Sequence, residues 1–202
     1  MSQKLNLYVD GFNLYFGLRS YGGRYKWLDL RLLAERLCQD GEVVGTVIYC
    51  TARISGKDKT KIRRQNVYLE ALRERGVTIV FGKFKARPHN CPSCGHRYKK
   101  PEEKESDVNL ASLLLRDAAA GQAKTVAIVS ADSDLILPMQ IAKEEYGCRV
   151  VPVFPPNRNS AEIQQRIGRP FHLGASVLAK CQLPTKIIKD DGYELYRPKK
   201  WR

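Results

Sequence analysis

Short apolar runs alternate with longer amphipathic stretches along this chain. The runs at residues 5–9, 43–50, 77–84, 126–129 and 149–154 are apolar with little strict alternation, the pattern of strands covered on both faces. Between them, residues 28–38, 59–75, 106–120 and 135–146 place apolar side chains at helical spacing. Within 59–75, Ile62, Leu69 and Leu72 share one side and Gly76 follows as a stop. Ser106 reads as the cap of the third helix, and a short helix is expected from Ser160. Strand alternating with helix predicts an α/β fold around a parallel sheet.

Residues 85–105 break this rhythm. They hold three prolines, Cys91, Cys94, His89, His96 and several cations, with almost nothing apolar. The segment is too long for an ordinary connection and is expected to leave the sheet edge as an excursion. Its centre, Cys91-Pro92-Ser93-Cys94-Gly95, has the form of a zinc knuckle. A tetrahedral structural Zn²⁺ site needs four ligands. His89 and His96 are the nearby candidates, although four ligands within eight residues would be cramped. A cysteine from elsewhere in the fold, or from a second chain, is an alternative, and a metal-free loop is another. Zn²⁺ bound here would order the segment without taking part in chemistry. Cys38, Cys50, Cys148 and Cys181 stand singly in or beside apolar segments, as buried free thiols do. With no disulfide framework and no visible export signal, a reducing cytoplasm is the expected compartment.

Four aspartates sit where apolar runs end. Asp10 follows the first strand, Asp132 and Asp134 follow the run 125–131, and Asp107 opens a helix. In an open α/β sheet, strand carboxyl ends and the adjoining helix N-termini share one edge, where ligands bind. Four carboxylates gathered there repel unless a hard divalent cation holds them, and an all-oxygen donor set suits Mg²⁺ or Mn²⁺. The structural alternative is that each aspartate only caps a turn or helix. Charge sharpens the picture: 35 Lys and Arg against 21 Asp and Glu give a net charge of +14, a surface that attracts polyanions. No apolar run approaches the ~20 residues of a membrane-spanning helix. An acidic focus in a basic chain points to a metal site facing nucleic acid.

Three segments carry a resemblance. Val9-Asp10-Gly11-Phe12-Asn13-Leu14-Tyr15, Glu103-Lys104-Glu105-Ser106-Asp107-Val108 and Val129-Ser130-Ala131-Asp132-Ser133-Asp134-Leu135, in that order, resemble the NYN domain family in its LabA-like branch, among the PIN-like nucleases. The resemblance covers residues 5–180. It implies a three-layer α/β/α sandwich with a central, mostly parallel sheet, and Mg²⁺- or Mn²⁺-dependent hydrolysis of RNA. Asp10, Asp107, Asp132 and Asp134 match the family's metal-binding positions, and Asn13 matches its polar residue after the first aspartate. Where many relatives carry a further acid, this chain reads Gln165-Arg166-Ile167-Gly168-Arg169, which puts a second ion in doubt. The domain is expected over 1–182, with the knuckle-like insertion at 86–104 and a basic tail at 183–202. A haloacid-dehalogenase phosphatase is disfavoured, because Asp10-Gly11-Phe12 stands where an Asp-x-Asp is needed.

The expected nucleic-acid contacts are Arg63 and Arg64 on the second helix, Lys85 and Arg87 leaving the third strand, Lys104 before Asp107, and Arg158 and Arg166 beside the last strand. Such cations hold backbone phosphates without reading sequence. Phe12, Tyr15 and Tyr98 are candidates for stacking on unpaired bases, while Trp201 reads as a docking or disordered end. The leading expectation is a metal-dependent endoribonuclease, with a homodimer in reserve. A catalytically silent RNA-binding adaptor and a DNA-directed PIN-like nuclease are the alternatives.

Overall fold

The structure, a computed structural model, describes residues 3–201, less the side chains of residues 86, 87 and 99–101. The elements are β1 (Gln3–Asp10), α1 (Gly11–Leu18), α2 (Leu30–Leu37), β2 (Glu42–Ala52), α3 (Lys59–Glu74), β3 (Thr78–Asn90), β4 (Arg97–Lys104), α4 (Ser106–Ala119), β5 (Thr125–Val129), α5 (Ile136–Glu144), β6 (Arg149–Phe154), α6 (Ala161–Arg166), β7 (Phe171–His172), α7 (Ala175–Lys180), β8 (Lys186–Ile188) and β9 (Glu194–Tyr196). One sheet has the order β4-β3-β2-β1-β5-β6-β7, and β8 pairs with β9 separately. Within the large sheet only the β3–β4 pair is antiparallel.

The strand period of two divides the core. Leu5, Leu7 and Val9 of β1, Val47 and Tyr49 of β2, and Ala127 and Val129 of β5 face one layer, with the apolar sides of α1, α2, α3 and α7. Tyr8, Ile48, Cys50, Val126 and Ile128 face the other, with α4, α5 and α6. Both faces are therefore buried, which is why these runs read as continuously apolar. The result is the expected three-layer α/β sandwich.

Topology fixes where a ligand can sit. From β1 the chain builds outward to β2 and β3, then returns to place β5 on the other side of β1. The order reverses between β1 and β5, and the crevice beyond the carboxyl ends at such a switch point is where open α/β sheets bind ligands.

Two regions depart from the sequence expectation. The excursion at 85–105 is a regular hairpin: β3 and β4 pair from Lys83↔Lys104 to Asn90↔Arg97, leaving only residues 91–96 as the tip. Its strands were hidden because beyond Gly82, the last residue of β3 paired to β2, the hairpin packs on neither core and needs no apolar alternation. Pro88 and Pro101 are tolerated because each has a free side, beyond β2 or at the sheet edge. The tail docks instead of trailing. Leu183, Leu195 and Trp201 join the first core layer, and the indole of Trp27 donates to the Pro184 carbonyl (2.8 Å).

Candidate active site

Asp10 ends β1 and starts α1. Its Oδ1 accepts from the amides of Phe12 (3.0 Å) and Asn13 (2.9 Å), so it caps the helix, and its Oδ2 accepts from the Ser130 hydroxyl (3.1 Å). Ser130 Oγ in turn accepts from the Asp132 amide (3.1 Å), and Asp132 Oδ1 accepts from the Asp134 amide (3.1 Å). Asn13 Oδ1 accepts from the Ala131 amide (3.3 Å). A continuous set of bonds thus spans the switch point and fixes the loop carrying Asp132 against the start of α1. For Asp10 and Asp132 the capping reading holds as geometry, but a cap uses only part of a carboxylate's four lone-pair directions.

α1 was not anticipated, because Gly11, Gly17 and three aromatics give it weak helix propensity. Gly11 is needed for close approach: a Cβ there would lie 2.7 Å from the Cys50 carbonyl oxygen and 2.7 Å from the Tyr49 ring. Gly11→Ala is expected to cost about 1–3 kcal/mol through overpacking. A thermal melt beside the wild type checks this.

Asp107 lies in the first turn of α4. Ser106 does not cap that helix. Glu105 occupies the cap position with φ 80°, and the buried Ser106 hydroxyl has no partner among the described residues. The Ser106 amide donates to Glu103 Oε1 instead (3.1 Å). Glu103, at the end of β4, is the acid that sequence reading passed over inside a charge run, although it lies in the second motif segment. Burial pushes Asp107 up to about 6, and Asp10, Asp132, Glu103 and Asp134 push it the same way. Asp10 is raised mainly by burial, against its hydrogen bonds. Cys50, beside Asp10 in register, is pushed up to about 12 by burial, with Asp10, Asp107 and Glu103 adding to it. These groups therefore share one field, dominated by negative charge. As they stand, no three His, Cys, Asp or Glu side chains among the described residues converge closely enough to hold an ion.

A cavity of about 920 Å³ adjoins this edge along α1 and α3. Phe12, Tyr15, Phe16, Tyr49, Tyr68 and Trp201 give it aromatic walls, and Arg19, Lys26, Lys61, Arg64 and Lys200 supply cations. Phe16 is exposed, and the Lys26 ammonium sits 4.6 Å from the Tyr15 ring centre. Of the anticipated phosphate contacts, Arg64 lines this cavity while Arg63 and Lys85 are exposed beyond it. Lys104 Nζ lies 3.6 Å from Glu102 rather than against Asp107. Arg158 is exposed after β6. Arg166 is engaged by Glu162 (2.9 Å) and Gln140 (2.7 Å). The Arg87 side chain lies outside the described residues, as do those of Lys99 and Lys100. At the hairpin tip, His89 Nε2 lies 3.1 Å from Glu102 Oε1 and its ring stacks on Tyr98, so Tyr98 is partly occupied. Cys91 is half-buried, and Cys94 and His96 are exposed.

A mostly parallel sheet with acids gathered at the carboxyl ends of its central strands is the architecture of the PIN-like nucleases. The chain belongs, within that class, to the NYN domain family, whose model matches residues 4–167. It is 29% identical over 223 aligned positions to the 6-hydroxy-3-succinoylpyridine 3-monooxygenase HspA of Pseudomonas putida (strain DSM 28022 / S16), covering 91% of this chain and 71% of that protein. Among solved structures it resembles a protein of unknown function, VPA0982, from Vibrio parahaemolyticus RIMD 2210633, with a TM-score of 0.61 and 18% identity over 86% of this chain and 94% of that one. That likeness is one of fold. No helix among the described residues is long and apolar enough to cross a membrane.

Proposed function

We propose that the chain is a metal-dependent endoribonuclease whose Mg²⁺ or Mn²⁺ is held by Asp10, Asp107, Asp132 and Asp134, with Glu103 beside them. One observation carries this reading: Asp10, Asp132 and Asp134 are joined through Ser130 and backbone bonds at the β1–β5 switch point, with Asp107 opening α4 in the same negative field. Such a donor set, all hard oxygen, fits a divalent cation of the Mg²⁺ class. Asp107 and Asp132 are half-buried and Asp134 is exposed. When bound, the ion lowers the pKa of a water and neutralises charge on the scissile phosphate.

The chain's own residues do the rest. Asp10 is fixed by α1 and Ser130, Asn13 locks the Asp132 loop, and the cationic cavity beside Gly11 receives the strand, with Phe16 offered to its bases. Water as nucleophile leaves 5′-phosphate and 3′-hydroxyl ends. The test compares end-labelled RNA and single-stranded DNA of one sequence with Mn²⁺, Mg²⁺ or EDTA. Cutting of RNA in metal alone supports the proposal. Preference for DNA makes it a DNA-directed PIN-like nuclease, and RNA binding without cutting makes it an adaptor.

HspA supports a second reading, an oxygenase that seats a heteroaromatic acid in the aromatic, cation-rimmed cavity. Oxygen uptake with 6-hydroxy-3-succinoylpyridine would favour it; none in the presence of RNA cleavage would remove it.

The field at the site also predicts a pH signature. Asp107 binds its proton more tightly folded than unfolded, so its contribution to stability is fully present below the ordinary carboxylate range and is lost as pH rises through about 6. In EDTA, Asp107→Asn is expected to melt above wild type at pH 7.5, by less than a fully buried carboxylate would give because water screens this half-exposed group, and close to it at pH 4. A melting series across that range checks this.

A further inference from the structure

We propose that Cys91 and Cys94 are half of a zinc site completed by a second copy of this chain, so that one Zn²⁺ joins two β3–β4 hairpins through four thiolates. The proposal is independent of the nuclease reading and concerns the opposite end of the hairpin.

The tip is a closed turn around Cys91. The Cys91 amide donates to the His96 carbonyl (2.8 Å) and the Gly95 amide to the Cys91 carbonyl (2.8 Å), closing a turn in which Gly95 takes φ 68°. The amides of Cys94 and Ser93 turn onto Cys91 Sγ. Backbone N–H groups aimed at a sulfur favour the thiolate, the form that ligates metal. Neither cysteine is in a disulfide, and Cys94 is exposed.

Among the described residues, the same chain does not complete the site. His89 is held by Glu102 and by stacking on Tyr98. Cys50, Cys148 and Cys181 are buried in the body of the fold and Cys38 follows α2. No third His, Cys, Asp or Glu converges on the pair among the described residues.

The geometry points outward to a partner. From Lys83 and Lys104 to the tip, eight paired positions carry the knuckle roughly 25 Å along the strand direction at ~3.3 Å per residue. The hairpin is at the sheet edge and loses contact with β2 beyond Gly82. A two-fold axis through the metal makes the contact self-complementary, because each copy offers the same two thiols. Four thiolates around Zn²⁺ are net dianionic, and they sit between tips that each carry an exposed Arg97 in a chain of +14. The cluster therefore offsets the repulsion that would otherwise keep two basic hairpins apart.

The test uses the full chain without a metal-binding tag, stripped with EDTA and titrated with Zn²⁺ while molar mass is read by light scattering. The expected result is a doubling of mass, complete at about half an equivalent of Zn²⁺ per chain. It should be abolished by Cys94→Ser and kept by His96→Ala, with unchanged melting temperature of the EDTA-treated proteins. Co²⁺ in place of Zn²⁺ should give the absorption of an all-thiolate tetrahedral site. One Zn²⁺ per monomer, loss of binding in His96→Ala, no binding at all, or a dimer that persists in EDTA would each overturn the proposal.

Discussion

Asp107→Asn is expected to bind RNA at least as well as wild type and to cut it at least ~100-fold more slowly, as loss of a charge-stabilising group at a reaction centre does. The substitution is informative because Asp107 makes no helix cap: it lies within the first turn of α4, with Glu105 at the cap position. Its removal relieves repulsion from Asp10, Asp132, Glu103 and Asp134 and so leaves the fold intact or firmer. Asp10→Asn is the companion. An asparagine caps a helix as well as an aspartate does, so α1 is retained while one anionic ligand is lost. Single-turnover cleavage and filter binding, run on the same preparations, separate the two effects. Loss of binding together with cutting would mean that these acids position RNA rather than an ion. Unchanged cutting in both variants would return the aspartates to a purely structural role.

The largest effect on stability is expected at Trp201. The residue lies far beyond the 4–167 segment that defines the family, yet its ring is 8% exposed and sits 6.4 Å from Trp27 and 5.8 Å from Tyr68, centre to centre. The turn bearing it is tied by Arg197, which donates to the Trp201 carbonyl (2.8 Å) and the Arg24 carbonyl (2.6 Å). Trp201→Ala should cost about 3 kcal/mol, a fall of roughly 6–12 °C in Tm for a chain of this size. Because the ring also walls the cavity beside Gly11, RNA affinity should weaken in the same variant at temperatures where it remains folded. A melt within a degree or two of wild type would show that the tail is an appendage.

The sheet was legible in the sequence because its strands are covered on both sides. Leu5 to Val9 and Thr125 to Val129 can only be central strands, and their ends locate Asp10 and Asp132. The hairpin was not legible, since its residues pack on neither core and nothing in Lys85 to Glu105 had to alternate. Glu103 was lost with it: among five charges in six residues, only the pairing of β4 shows which one lands beside Ser106. α1 escaped notice because the Asp10 cap signal preceded a poor helix former, and close packing of Gly11 on Cys50, which motif spacing does not reveal, is what selects that residue. The cavity is the least legible feature. Its walls come from α1, α3 and the last turn of the chain, so no local pattern announces them. Arg166 illustrates the converse, a cation that looked available and is engaged by Glu162 and Gln140.

In the nuclease reading the carboxylates at the β1–β5 switch point hold the ion that cleavage requires. That is tested most directly by titrating Mn²⁺ into EDTA-treated protein and following two readouts together, the rate of RNA cleavage and the melting temperature. An ion bound only by the folded state adds about 2.7 kcal/mol at a hundred times its Kd, enough to raise Tm by several degrees. Both curves should rise with one midpoint, and both shifts should be lost in Asp107→Asn. Cleavage that continues in EDTA, or a rise in Tm unchanged by Asp107→Asn, would contradict it.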